Sequence, residues 1–319
     1  MLELISRGFI YTEAPFPECH ASTVAAGPWG RVCAWFGGLH EKNPDVGIWL
    51  SRQATDGWSV PVQVAKIAPV AHWNPVLFTA PDGKLHLWFK IGVDVPTWQT
   101  FTMVSDDGGI TWSEARELVP GDTLGGRGPV KNKPILLSDG AWLAGASTEQ
   151  GTWEGFFDRC EDNGYTWVRT PDLDRTALGE KHGDIQPTLW ESAPGQVHSL
   201  IRSSCGFLPR TDSTDGGLTW SPLYDSGLPN NNSGVDVAQL NDGTLVLSHN
   251  PVSEDWGART PLRLSISRDN GATWPEFIDI ETEEKAEFSY PAIIADGREV
   301  FCVYTWKRKR IAFWHGRVV

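Results

Sequence analysis

Apolar and polar positions alternate in short runs along most of this 319-residue chain, and tight polar turns separate the runs. FTAPDGKLHLWF, LLSDGAWLAG, LWESAPGQVHSLI, LNDGTLVLS and IIADGREVFCVY each place two alternating stretches around an Asp-Gly or Pro-Gly pair. Alternation with period two buries one face of each stretch, and a glycine that tolerates positive φ closes the turn, so each run reads as a β-hairpin. A looser example, TVAAGPWGRVCAWF, precedes them. The turn glycines are Gly30, Gly83, Gly140, Gly195, Gly243 and Gly297. The stretches are rich in Val, Ile, Leu, Phe and Trp, and no long helical period lies between them.

A second pattern keeps the same beat. SDDGGITW, CEDNGYTW, STDGGLTW and SRDNGATW end at Trp112, Trp167, Trp220 and Trp274, and a worn copy, SRQATDGW, ends at Trp58. These tryptophans are 54, 55, 53 and 54 residues apart, a spacing that marks a repeated structural unit. Six units with two hairpins each predict an all-β fold, a six-bladed β-propeller with four-stranded blades. The last unit, from FSYPAII onward, has residues for only three strands. The N-terminal LELISRGFIY is therefore expected to supply the fourth and close the ring. Repeat units bury their faces against one another, so residues 1–319 are read as a single domain. The octapeptide then closes the hairpin between third and fourth strands. Its tryptophans, Trp112, Trp167, Trp220 and Trp274, are expected to be largely buried between blades, away from the central funnel.

Charge narrows the function classes. A formal net charge of −13 argues against nucleic acid or an anionic membrane as the main partner. The five cysteines, at 19, 33, 160, 205 and 302, form no CxxC pair and read as buried thiols rather than zinc ligands or disulfides. No metal or cofactor is expected. The start MLELISRGFIYTEAPFP lacks the basic and apolar regions of a signal peptide, and no stretch reaches the roughly 18 apolar residues of a membrane helix. A cytoplasmic protein is the expectation.

The pattern S-x-D-x-G-x-T-W, in four good copies, resembles the Asp-box of the sialidase (BNR-repeat) superfamily, whose catalytic domain is a six-bladed propeller. The resemblance covers the whole chain in period and count. Propeller ligands sit at the central funnel, lined by the starts of innermost strands and the exits of second strands. Here the inner strands begin CHASTV, HWNPVL, NKPILL, IQPTLW, GVDVAQL and SYPAII, offering His20, Asn74, Lys133, Gln186, Asp236 and Tyr290 toward the axis. The second-strand exits offer Glu41, Lys90, Glu149, Arg202 and Asn250, and Arg259 leads into the fifth blade's third strand. His72 alternates with Asn74, and Lys131 with Lys133, so these too are expected at the funnel.

Sialidases grip the substrate carboxylate with three arginines. They use a tyrosine nucleophile helped by a glutamate, and an aspartate as general acid. The resemblance implies that Arg202 in LIRSS is the second arginine, Arg259 in ARTPLRLSIS the third, and Tyr290 in FSYPA the nucleophile. Elsewhere the chain departs from the pattern. ECHAST replaces the first arginine's segment and puts His20 there, Gln186 takes the glutamate's place, and GGLHEKNPD offers Glu41, or Asp45, as the acid. A glutamine cannot accept the phenol proton.

Three functions fit these residues. The first is an exo-acting glycoside hydrolase on a terminal acidic sugar, sialic or uronic. Arg202 and Arg259 would hold the carboxylate, Tyr290 would face the anomeric carbon, and Glu41 would protonate the leaving oxygen. The second is a lyase that eliminates across a uronic acid, with Tyr290 and His20 or His72 as base and acid. The third is a non-catalytic glycan-binding propeller. Asn74, Lys133, Asp236, Glu149 and Lys90 complete the set expected to line the substrate, an acidic oligosaccharide.

Overall fold

The computed structural model describes residues 1–319 except 56 and 123; Asp56 of the worn octapeptide thus lies outside the described residues. Six antiparallel sheets form a closed propeller. From the axis outward, blade two is His72–Thr79, Leu85–Ile91, Gln99–Ser105 and Arg116–Glu117, and blade three is Ile135–Leu136, Trp142–Thr148, Glu154–Cys160 and Val168–Arg169. Blade four is Asp184–Ala193, Gln196–Ser203, Phe207–Ser213 and Tyr224–Pro229, and blade five is Asp236–Gln239, Leu245–His249, Leu262–Ser267 and Glu276–Glu281. Blade six runs Phe288–Asp296, Glu299–Trp306 and Arg310–Val318, and its outermost strand is the N-terminal Leu2–Phe9, paired from Leu2↔Val318 to Phe9↔Ala312. Blade one departs from the four-strand rule. Beyond Glu18–Gly27, Gly30–Gly38 and Gly47–Ala54, both Gly57–Trp58 and Val62–Ala65 pair with the third strand. No helix among the described residues is long and apolar enough to cross a membrane.

The octapeptides cap their own turns. The Asp107 carboxylate accepts from the backbone N–H of Ile110 and Thr111 at 3.0 and 2.9 Å and from the Thr111 hydroxyl at 2.6 Å. Asp215 and Asp269 repeat this with Thr219 and Thr273. In blade three Cys160 replaces the motif's serine, and its Sγ accepts the Gly164 N–H at 3.0 Å. Only Trp167 is fully buried; Trp112, Trp220 and Trp274 are half-buried, which corrects the expectation for those three. Trp167 meets Trp88 of the preceding blade edge to face with ring centres 5.9 Å apart. Trp220 stacks on Phe157 with ring centres 3.9 Å apart, and its other side meets solvent.

The inner strands share a device that positions the funnel. Register breaks between His20 and Thr23, Trp73 and Val76, Ile185 and Thr188, and Ser289 and Ala292. Inside each break lies a residue with positive φ: Ala21 at 56°, Asn74 at 37°, Gln186 at 58° and Tyr290 at 51°. A β-bulge of this kind bends the strand and re-aims a side chain. Pro75, Pro187 and Pro291 follow three of them, where a residue without an N–H leaves no ladder bond unmade. The bulge residue of blade one is Ala21, so aligning His20 with Gln186 and Tyr290 was one residue out.

Candidate functional site

Tyr290, re-aimed by its bulge, is the centre on which the other groups converge. Its phenol oxygen accepts Arg202 Nη1 at 2.7 Å and Gln186 Nε2 at 3.1 Å. Arg202 Nη1 also donates to Gln186 Oε1 at 3.2 Å, which leaves the amide nitrogen of Gln186 to face the phenol. The guanidinium carbons of Arg202 and Arg259 lie 5.7 and 5.9 Å from the Tyr290 ring centre, the Lys131 ammonium 6.0 Å and the His20 ring 4.2 Å. Five of the six blades therefore reach one spot.

A third arginine, unforeseen from the sequence, stands beside them. Arg308 lies in the last hairpin of blade six, where Lys307 and Arg308 both have positive φ, 52° and 55°. Its Nε donates to Glu287 at 3.0 Å and its Nη1 to Glu41 at 2.5 Å, while Arg259 Nη1 donates to the same Glu287 at 2.8 Å. With His20 and Glu41 it lines a small cavity at blade one, the position where the arginine of the family pattern is missing. The run KRKR at 307–310, the most basic in an acidic chain, was the available signal.

Arg202 differs from the other two arginines in touching no carboxylate. Its Nε donates to Asn232 Oδ1 at 2.9 Å, and among the described residues its Nη2 has no partner. A carboxylate that grips one guanidinium with both oxygens needs two neighbouring nitrogens free. Here Nε and Nη1 are taken, which leaves Nη2 as the Arg202 nitrogen without a hydrogen-bond partner among the described residues.

Two titratable groups are displaced from their usual ranges. Burial, and then the charges of Arg308, Arg259, Arg202 and Lys131, hold His20 well below the ordinary histidine range; its Nδ1 lies 3.0 Å from Thr305 Oγ1. Burial pushes the Glu149 carboxyl up, opposed by Arg202 and supported by Glu41. The site thus holds a neutral imidazole and a carboxyl inclined to keep its proton.

Several expected residues spend their polar atoms on the protein itself. Lys90 is buried and donates to Thr100 Oγ1 at 2.6 Å and to the carbonyls of Arg127 and Pro129 at 3.0 and 2.9 Å; burial lowers its pKa to about 7. Lys133 pairs with Asp236 at 3.0 Å, and Asp236 also accepts from Thr188 Oγ1 at 2.8 Å and Ile293 N at 2.9 Å. That pair ties blades three to six together. His72 accepts the Ile67 N–H through Nε2 and donates through Nδ1 to Val70 O, both at 3.0 Å, so neither ring nitrogen is left for chemistry. Lys131 donates to Val235 O at 2.9 Å and to Pro291 O. Asn250 donates to the carbonyls of Pro261 and Phe288, and Asp45 caps its own loop at Leu39 N. Asn74 is buried at the blade-two bulge. Period-two alternation identifies a face but not the partners a side chain finds there, and these polar atoms are taken by the protein itself.

Two tryptophans also escaped the sequence reading. Trp153 and Trp256, from loops of blades three and five, meet edge to face with ring centres 5.9 Å apart. They lie 5.4 and 5.9 Å from the Arg202 guanidinium. Trp256 is 64% exposed and holds φ of 55°, a strained conformation for a bulky residue. At the far end of the strand that carries Gln186, Ser192, His198 and Asp212 align at 2.7 and 2.5 Å. Asn270 of the next blade donates to the same His198 nitrogen, and Arg210 joins Asp212 to the Asn270 carbonyl, which makes the array a clasp between blades.

The model of the family described as "BNR repeat-like domain" matches residues 31–302. No curated protein matches the chain. Among solved structures, it is similar to a protein of unknown function from Dyadobacter fermentans, at 16% identity and TM-score 0.83, over 100% of this chain and 99% of that one. It is also similar to the NanB sialidase of Streptococcus pneumoniae, at 12% identity and TM-score 0.75, over 95% of this chain and 68% of that one. The intramolecular trans-sialidase of Ruminococcus gnavus, solved with oseltamivir carboxylate, is 14% identical at TM-score 0.72, over 94% of both chains. At these identities the likeness is one of fold.

Proposed function

The chain belongs to the family of BNR repeat-like domains, and from that premise we propose that it is a sialidase-like glycoside hydrolase acting on a terminal acidic sugar. The observation that carries this reading is the convergence of Arg202, Arg259 and Arg308 around Tyr290, with Arg202 lacking a carboxylate partner. The substrate carboxylate takes one bond from Arg202 Nη2 and its others from Arg259 or Arg308. Tyr290 then faces the anomeric carbon. Glu149, whose carboxyl burial pushes up against the charge of Arg202, is better suited than Glu41 to protonate the leaving oxygen.

Gln186 cannot take the phenol proton, and His20 is the neutral base beside it. Burial first, and then the charges of Arg308, Arg259, Arg202 and Lys131, oppose protonation of His20. A bound carboxylate offsets their charge, so His20 becomes a better base when the substrate arrives. The phenol proton passes to His20, the Tyr290 oxygen bonds to the anomeric carbon as the glycosidic bond breaks, and water later releases the sugar. The same neutral imidazole supports a second reading, elimination across a uronic acid. There His20 takes the phenol proton, the Tyr290 phenolate removes the C5 proton, and His20 returns its proton to the leaving oxygen as the C4–O bond breaks.

The test is incubation with oligosaccharides ending in sialic or glucuronic acid. Reducing sugar released without ultraviolet absorbance of an unsaturated uronate supports hydrolysis. A rise in that absorbance replaces it with elimination, and neither signal on any acidic sugar overturns both.

A further inference from the structure

Three consecutive asparagines, Asn230, Asn231 and Asn232, join the outer strand of blade four to the inner strand of blade five. All three are buried. Asn230 Oδ1 accepts the N–H of Ser203, the neighbour of Arg202, at 3.0 Å, and Asn230 Nδ2 donates to Ser233 O at 3.1 Å. Asn231 Nδ2 donates to Ala258 O at 2.7 Å. Asn232 faces both ways: its Oδ1 accepts Arg202 Nε, and its Nδ2 donates to Asp255 Oδ1, both at 2.9 Å. Asp255 and Ala258 belong to the blade-five loop that carries Trp256 and Arg259.

An amide at 232 does two things that a carboxylate does not. It accepts from the guanidinium without cancelling its charge, and it donates to Asp255. The other two arginines of the cluster show the alternative, since both are held by carboxylates.

We propose that Asn232 is a positioning residue that holds Arg202 and the loop of Asp255, Trp256 and Arg259 in one register while leaving the Arg202 charge to an anionic ligand. The ligand half of this rests on the acidic-sugar reading above; the loop half does not.

Asn232 has φ of 57°, which aspartate tolerates and alanine does not, so Asn232→Asp is the informative variant. It is compared with Asp255→Asn and with the double variant. Two quantities are read on the full chain: amide hydrogen exchange of residues 254–258, and the Kd of free sialic and glucuronic acids at fixed salt. Asn232→Asp sets two carboxylates against each other, so the loop exchanges faster, and the acid Kd rises about tenfold through partial neutralisation of Arg202. Asp255→Asn keeps an acceptor for the Asn232 amide and leaves loop exchange as in the parent. In the double variant the new carboxylate accepts from both Arg202 and the new amide at 255. Loop exchange returns to the parent rate while the acid Kd stays raised.

A double variant whose loop exchanges like Asn232→Asp overturns the tie between Asn232 and Asp255. A double variant that binds acids as tightly as the parent overturns the role of the neutral acceptor. A parent that binds neither acid overturns the acidic-sugar reading and, with it, the ligand half alone, and the loop exchange still decides the rest.

Discussion

Replacing Arg202 by lysine keeps a positive charge and removes the fork. Nε of Arg202 donates to Asn232, Nη1 to Tyr290 and Gln186, and in the proposed reading Nη2 takes the substrate carboxylate. One ammonium on a flexible stem cannot perform all three. Arg202→Lys should therefore weaken binding of an acidic sugar by roughly 1.5–3 kcal/mol, nearly as much as Arg202→Ala, with little effect on a neutral analogue in calorimetric titrations. Glu149 offers a second check. A general acid works while protonated, so activity should fall as pH rises through the raised pKa of Glu149. Glu149→Gln should lower kcat by 10²–10⁴-fold, roughly the usual share of general acid catalysis, and flatten that alkaline limb. At this scale the sequence was legible where a motif supplied a frame. Arg202, Arg259 and Tyr290 follow from their segments, whereas Arg308, Trp256 and Asn232 sit in turns and loops, where left-handed backbone conformations rather than periodicity decide direction. Lys90 and His72 occupy funnel-facing segments in sequence and were turned inward by carbonyl partners that alternation cannot reveal.

The blade is the unit whose stability the octapeptide controls. Hydrogen bonds from Thr273 and Ser267 lower the pKa of Asp269 from 3.8 to about 2. A carboxylate depressed in the folded state contributes its stability above the unfolded value and loses it as pH falls through the folded one. The window here runs from about pH 4 down to about pH 2. Asp269→Asn should lower the melting temperature at pH 7, and the gap from the parent should close across that window. Trp220 is half-buried, so Trp220→Ala should cost less than the 3–5 kcal/mol of a fully buried tryptophan, about 2 kcal/mol by denaturant titration, with activity kept. Hairpins and octapeptides were legible because turn chemistry and period act locally. The fifth strand of blade one was not, because its octapeptide is the degraded copy and carries no clean turn signal.

Across the whole molecule, closure rests on the pairing of Leu2–Phe9 with Arg310–Val318. Removing residues 1–9 should destabilise the protein by roughly 4 kcal/mol or more, at the upper end of what point changes do, and blade six should exchange its amides first. The ring closure was legible from counting strands in the last repeat. The two chain ends also lie side by side: Met1 donates to the Val319 carbonyl at 3.0 Å and accepts from its N–H at 2.9 Å. Tension applied between them would load this antiparallel seam one hydrogen bond at a time, like a zip rather than a glued lap joint. The propeller should yield to a low force at that seam and then surrender its blades in order from the torn edge, a sawtooth that single-molecule stretching would record.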